Sequence, residues 1–355
     1  MFLAWNEIKN NKLRFSLIIG VLTLVSYLVF FLSGLANGLE NLNKEAVDKW
    51  DADGIILTDE SDITLPQSSF EKGEYDGNGA SETAVLAQFN AIATSGDNKA
   101  NVAIFGIDED EFIMPDVIEG EAFTEEGEVI ADDSLKEEGF KVGDELELSS
   151  IDETLTIAGF TENAKFNAAP VLYGSLETYK YVRYGGQAGS NEDTINAYVV
   201  RAGNVDEISV DDSLQVIPTQ TFIENMPGYT EQNLTLTLMI YFLFIVSAVI
   251  LAIFLYVLTI QKISIFGVMK AQGISNRYLS NSVVAQTFLL ALAGVIIGFG
   301  LTLLTGFFLP AAVPVAFNYT DMLIYAAILV VVSVLGALFS VKTIVKIDPL
   351  KAIGG

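Results

Sequence analysis

The sequence predicts a membrane protein: four transmembrane α-helices, with one extracytoplasmic mixed α/β domain inserted between helices 1 and 2. Three observations predict it. The 355-residue chain is 51% hydrophobic and only 18% charged, yet its formal net charge is −26. One soluble domain does not combine these values, so apolar and charged residues must be segregated along the chain. Four stretches hold no charge and reach the roughly 20 residues that a helix needs to cross a bilayer. Nearly all the acid falls in one block: residues 40–231 hold 42 of the 45 acids and 10 of the 19 bases.

The spans follow in order. Residues 1–14 read as an interfacial helix, with Phe2, Trp5 and Ile8 on one face and Lys9 and Lys12 placed to reach lipid phosphates. Residues 15–39 form span 1, a charge-free run of 25 residues between Arg14 and Glu40. A cleaved signal peptide has an apolar region of about 7–15 residues, so this run is too long for one. Residues 232–261 form span 2, and 262–281 a short loop. The next charge-free gap, Tyr278–Thr320, has 43 residues and is too long for one span. Pro310 and Pro314 end its helix, leaving span 3 over 282–309 and a short outer loop over 310–321. Span 4 covers 322–341, and residues 342–355 are a tail.

Orientation follows from the bases on short flanks. Lys9, Lys12 and Arg14 precede span 1; Lys262, Lys270 and Arg277 lie between spans 2 and 3; Lys342, Lys346 and Lys351 follow span 4. Both termini are therefore expected in the cytoplasm, and the acidic block outside. Small residues spaced by four (Gly34 and Gly38, Gly294 and Gly298, Ser333 and Ala337, Gly336 and Ser340) predict close approach of the spans.

The acidic block reads as folded. β-type runs occur at 54–57, 101–105, 128–131, 155–160, 170–173, 197–200 and 214–217, bounded by turn signals such as Gly77-Asn78-Gly79 and Gly143-Asp144. Residues 133–139 and 175–184 read as helices, 145–148 is expected to pair with 155–157, and 61–82 reads as an exposed loop. The clusters Asp51-Ala52-Asp53-Gly54 and Asp108–Glu111 do not match a calcium-binding loop and read as solvated acidic surface.

Composition also excludes chemistry. The chain has no Cys and no His. That removes disulfides, thiol nucleophiles, iron–sulfur ligands, imidazole bases and His-ligated metals. The net charge argues against a nucleic-acid partner. No G-x-x-x-x-G-K-(S/T) phosphate loop is present, so any ATP must be hydrolysed by another chain. No acidic or basic residue lies inside a span, which weakens an ion-coupled transport reading. The chain is expected to be non-catalytic and driven from elsewhere.

The segment Gly267-Val268-Met269-Lys270-Ala271-Gln272-Gly273-Ile274-Ser275 resembles the G-x-L-K-A-x-G-(A/I)-(S/T) signature of MacB/FtsX-type ABC-transporter permeases. The tail Ile347-Asp348-Pro349-Leu350-Lys351-Ala352-Ile353 is similar to the family's D-P-x-x-A-L/I ending, and Ala131–Leu135 with Val142–Leu146 resembles its outer-domain pattern. Together these cover nearly the whole chain. The resemblance implies a permease homodimer bound to two copies of a separate ABC ATPase that carries ATP and magnesium. It also implies that Phe266, Gly267, Val268, Met269, Lys270, Ala271, Gln272 and Gly273 form the coupling helix seated on that ATPase. Residues 15–39 further resemble the heme-exporting permeases of Gram-positive bacteria. On that resemblance the chain exports a hydrophobic or amphipathic compound, with heme as substrate and no permanently bound cofactor. Tyr27, Phe30, Phe31, Glu40, Met239 and Tyr241 are then candidate substrate contacts. The alternative is a mechanotransmitter that regulates an extracytoplasmic partner, such as a cell-wall hydrolase, without transport. Either way the expected place is a bacterial cell membrane.

Overall fold

A computed structural model describes residues 12–149, 154–185, 193–310 and 313–345. The expected interfacial segment up to residue 11 and the tail motif at 347–353 lie outside the described residues. In chain order the first elements are α1 (Lys12–Lys49), β1 (Gly54–Thr58), β2 (Phe70–Glu71), β3 (Glu82–Ser95), β4 (Asn98–Ile107), β5 (Glu119–Gly120) and β6 (Glu128–Asp132). Then come β7 (Glu145–Leu148), β8 (Thr154–Thr161), β9 (Lys165–Phe166), β10 (Ala169–Ser175), α2 (Leu176–Tyr184), β11 (Thr194–Ile195), β12 (Ala197–Arg201) and β13 (Leu214–Pro218). The last are α3 (Thr219–Glu224), α4 (Tyr229–Gln261), α5 (Ile263–Ala271), α6 (Asn276–Phe308) and α7 (Tyr319–Val345). Two compact units result: Met1–Gly38 with Asn233–Gly355, and Leu39–Gln232.

The first unit is helical. Among the described residues, α1, α4, α6 and α7 are long and apolar enough to cross a membrane. Large apolar side chains such as Phe242, Ile245, Val249 and Ile253 stand exposed along α4. A helix that is apolar on its outward face too suits lipid rather than water. The small-residue pairs divide by partner. Gly294 and Gly298 press α6 onto α1: a Cβ on Gly294 would stand 2.5 Å from the Leu22 Cβ, and one on Gly298 would collide with the Ser26 hydroxyl. That hydroxyl donates to the carbonyls of Leu22 (2.7 Å) and Gly294 (3.1 Å), so it is satisfied without water. Gly336 brings α7 onto α4, where a Cβ would lie 2.8 Å from the Ala248 carbonyl oxygen.

The Gly34–Gly38 pair does something else. It seats the loop after α6, not a helix. A Cβ on Gly38 would collide with the Pro314 backbone, and one on Gly34 would lie 2.6 Å from the Phe317 ring. Ala316 N–H donates to the Gly34 carbonyl at 2.9 Å.

The second unit is a mixed sheet, ordered β13-β1-β12-β3-β4-β10-β6-β8-β5, with β7 paired to both β3 and β8. The β4–β10 and β6–β8 pairs are parallel; the others in the sheet are antiparallel. Both faces are covered. Ile55, Leu57, Leu86 and Phe105 face a core closed by Trp50 of the region after α1 and by Phe222 and Ile223 of α3. Ile56, Val85, Phe89 and Ile104 face a second core closed by Leu176, Tyr179 and Val182 of α2. This alternation is the two-residue period of a strand buried on both sides. Glu145 pairs with Thr156 and Leu146 with Leu155, as expected for β7 and β8.

Three expectations change. The longest strand, β3, has no counterpart among the β-type runs: its Ala-rich stretch, Glu82–Ser95, lacks the β-branched density that marks a strand. Residues 133–139 are not a helix but a short 3-10 turn over Asp133–Lys136, capped by Asp132. Asp132 is fully buried and also accepts from Ala164 N–H at 2.8 Å, so it ties the turn to the next loop. Residues 61–82 are not simply an exposed loop, because Leu65, Phe70 and Tyr75 are buried and Phe70–Glu71 pairs with β11.

The acidic clusters have structural partners. Asp53 accepts from Ala202 N–H (2.8 Å), and Asp108 pairs with Lys72 (2.8 Å). Glu111 accepts from Val85 N–H at 2.8 Å, and burial pushes its carboxyl up to about 7, with nearby Asp108 adding to the rise. A folded state that holds this proton more tightly than the unfolded chain loses stability as pH rises from 4.5 to about 7. Glu111→Gln keeps an acceptor for Val85 and removes the titration. Thermal unfolding of the two chains across that window should therefore give a flatter pH profile for the variant; superimposable profiles would refute the assignment.

Candidate functional site

The loop that carries the family signature is built as a stop and an immediate restart. Lys262, at φ −106° and ψ 7°, separates α4 from α5. At the other end of α5, Gly273 adopts φ +89°. Gly273 N–H donates to the Lys270 carbonyl (2.9 Å) and Ile274 N–H to the Met269 carbonyl (3.0 Å). These two bonds form a Schellman cap, which needs a left-handed residue that glycine supplies without strain. Ile274 and Met269 pack on the same small cluster, the apolar contact that accompanies such a cap. Two residues after the glycine, Ser275 caps α6 by accepting from Tyr278 N–H at 3.3 Å. The Gly-Ile-Ser spacing thus encodes the turn between α5 and α6.

α5 has two faces. Phe266 and Gly267 are buried, and Phe266 packs on Leu279 and Val283 of α6. Ile265 is 57% exposed and Val268 43%, and Ala271, Gln272 and Gly273 are also exposed. Residues 265, 268 and 272 share one side at helical spacing. Lys270 turns aside: its Nζ donates to the Val345 carbonyl of α7 at 3.2 Å. A cation suits the partial negative charge at a helix C-terminus. Arg14 of α1 donates to the Gln261 side chain at 2.6 Å, and Lys262 lies 5.8 Å from the centre of the Phe15 ring. The ends of α1, α4 and α7 therefore meet beside α5, with Arg14 on the first and Lys262 just after the second.

At the other end of the helical unit lies a cavity of about 500 Å³. Leu303, Gly306 and Phe307 of α6 line it, with Val315, Phe317 and Tyr319 from the following loop and α7. No charged residue is among the described residues that line it. Phe317 sits between helices: a Cβ on Gly306 would collide with its ring, as would one on Gly34. Tyr27 of α1 is within 3.2 Å of the Thr305 hydroxyl, next to Gly306, and stacks on Phe31 with ring centres 6.0 Å apart.

The proposed substrate contacts are thus dispersed. Tyr27 and Phe31 come together, partly buried, on α1. Phe30 is fully buried and packs edge-on against Phe299 at 5.7 Å. Met239 and Tyr241 stand about half exposed on α4. Glu40 belongs to the other unit, where it accepts from the Tyr229 hydroxyl (2.9 Å) and pairs with Lys44 (3.1 Å). The sequence reading missed Gly306 and Phe317. Their one signal was the overlong charge-free gap with two prolines, which marks a structured re-entry between helices. Among the described residues no group of three or more acids could hold a metal ion.

Residues 15–217 match the MacB-like periplasmic core domain family, and residues 237–349 match the FtsX-like permease C-terminal family. A Staphylococcus haemolyticus protein that bears the name hemin transport system permease protein HrtB is 26% identical over 359 residues, covering 100% of this chain and 99% of the relative. An uncharacterized ABC transporter permease of Mycobacterium tuberculosis, Rv2563, is 24% identical over 368 residues with the same coverage. The solved periplasmic region of MacB from Actinobacillus actinomycetemcomitans aligns with 50% of this chain and 94% of its own, at 14% identity and a TM-score of 0.37. With one family spanning more than half of the sequence and a second most of the remainder, the chain belongs to the MacB/FtsX-type ABC-transporter permeases.

Proposed function

We propose that this permease is the non-catalytic membrane subunit of an ATP-driven exporter for a hydrophobic or amphipathic compound, with heme the leading candidate. The observation that carries the reading is the end-to-end similarity to permeases named for hemin transport. An ABC permease works with an ATPase subunit, and the exposed side of α5 is the surface offered to it. Two permeases and two ATPases would make the working unit, with both termini in the cytoplasm. ATP-driven closure of the ATPases would push on α5; its packing on α6 and its bond to α7 would pass the push to the bundle. The charge-free cavity lies in the size range of small-molecule sites, about 300–1,000 Å³, and suits an apolar body. Tyr27 and Phe31 offer a flat aromatic surface close to it.

Growth of a strain lacking this chain tests the substrate. Heme at concentrations tolerated by the parent should arrest the mutant and raise its cellular heme. Unchanged tolerance with unchanged cellular heme would refute heme export.

A second reading rests on α1, an unbroken helix of 38 residues from Lys12 to Lys49. A continuous rod suits transmission of motion to an outer partner without transport. In that case loss of the chain alters cell-wall hydrolysis and leaves heme tolerance untouched.

A further inference from the structure

The outer domain contains a second cavity, of about 210 Å³. Its apolar walls include Leu65, Phe166, Phe222 and Met226, each at most 3% exposed. Its mouth carries the exposed amides of Gln67, Asn90 and Asn167. None of its lining residues is charged, in a block that holds 42 acids and 10 bases. In so acidic a domain, an opening with apolar walls and an uncharged hydrogen-bonding rim defines what it accepts.

One of the loops that shape it is strained. Ile63 has φ +56°, a conformation that a β-branched residue avoids. Asn167 and Ala168, at φ +49° and +63°, are instead the two turn residues of the β9–β10 hairpin, which needs positive φ at both, and their N–H groups bond the carbonyls of Asn43 (3.0 Å) and Leu42 (2.9 Å). Backbone strain of this kind clusters at ligand clamps and binding sites. The Ile63 loop closes no hairpin, and its strain falls at the wall of the opening.

We infer that this cavity is a binding site for an uncharged compound with one aromatic ring or a short branched apolar chain, whose polar group meets the amide rim. The size sets the class. Sites for drug-sized ligands begin near 300 Å³, so a single ring fits and a tetrapyrrole does not. The absence of any cation in the lining also excludes a carboxylate-bearing ligand. The site is therefore independent of the heme reading and stands or falls without it.

The absence of cysteine makes the site directly testable in the full-length chain in lipid nanodiscs. Gln67→Cys places a single thiol at the mouth, and Ser209→Cys places one on an exposed loop away from the cavity. Each is reacted with benzyl methanethiosulfonate and with methyl methanethiosulfonate, both uncharged. A site that holds the ring should raise the benzyl-to-methyl rate ratio at position 67 about ten-fold over that at 209, the discrimination expected from burying one ring-sized apolar group. Adding Asn90→Trp, which fills the mouth from an exposed position, should return the ratio to that at 209; excess 4-fluorobenzyl alcohol should do the same. Equal ratios at the two positions, or a ratio untouched by both the tryptophan and the alcohol, would overturn the inference.

Discussion

Gly298→Leu is expected to disrupt the helical unit. Any Cβ there meets the Ser26 hydroxyl and lies 3.0 Å from the Thr23 carbonyl oxygen, so α1 and α6 must separate. Overpacking in a well-filled interior costs about 1–3 kcal/mol, and a leucine at a backbone-to-backbone contact belongs at the upper end. Parting the helices also strips the Ser26 hydroxyl of its bond to the Gly294 carbonyl. The decisive comparison is Gly300→Ala on the same helix, where a Cβ meets nothing within 4 Å. Alanine there gains about 0.5–1 kcal/mol of helix propensity without a clash. Thermal unfolding in nanodiscs should therefore lower the midpoint for Gly298→Ala and Gly298→Leu, the latter more, and leave Gly300→Ala unchanged or raised. Equal midpoints for Gly298→Leu and the parent would show that α1 and α6 do not pack this way.

Val268→Asp is expected to uncouple the permease from its ATPase while leaving it folded. The side chain is 43% exposed, so a carboxylate there meets no core. If α5 docks through its exposed side, the aspartate is buried unpaired in an apolar contact. Loss of a central anchor typically costs about 2 kcal/mol or more, which corresponds to a fall in stimulated ATPase activity of more than about ten-fold. Phe266→Ala separates docking from folding. That ring packs on Leu279 and Val283, and its removal should cost about 3–5 kcal/mol of stability. Full ATPase stimulation by Val268→Asp would remove α5 from the interface.

Within the loop, the roles of neighbouring residues diverge in ways their order does not reveal. Lys270 reads in sequence as one of three positive charges on a short flank. In the fold it ends α7 by meeting its last described carbonyl. Gly273 reads as one of two glycines bracketing a basic segment, and a glycine followed by Ser275 is a recognisable stop and start. What the order of residues does not show is that Phe266 faces α6 while Val268 faces out. That division needs α6 in place, because the segment itself is apolar on both sides.

The outer domain shows the same boundary. Strands such as β1 and β12 were legible because β-branched residues are dense there and turn residues bracket them. β3 was not, although it is central to the sheet. Of its alanines, Ala87 and Ala93 are buried in the core that α2 closes and Ala84 in the one on the opposite face. Asp132 could be seen as one more acid among many. Only its burial, with bonds from Ser134 and Ala164, shows it to be a structural cap.

By itself, the sequence determined the membrane architecture, the acidic inserted domain, the absence of His and Cys chemistry, and the family. These are properties of charge and hydropathy summed over long windows, and of a motif whose capping residues act locally. The tertiary structure alone decided which partner each small-residue pair meets, where the two cavities lie, and which residues line them. Those depend on contacts between segments far apart in the chain. Gly34 and Gly38 look identical in spacing to Gly294 and Gly298, yet the first pair receives a loop and the second a helix. The spacing specifies only that something must come close; what arrives is fixed by where α6 ends and how the chain returns.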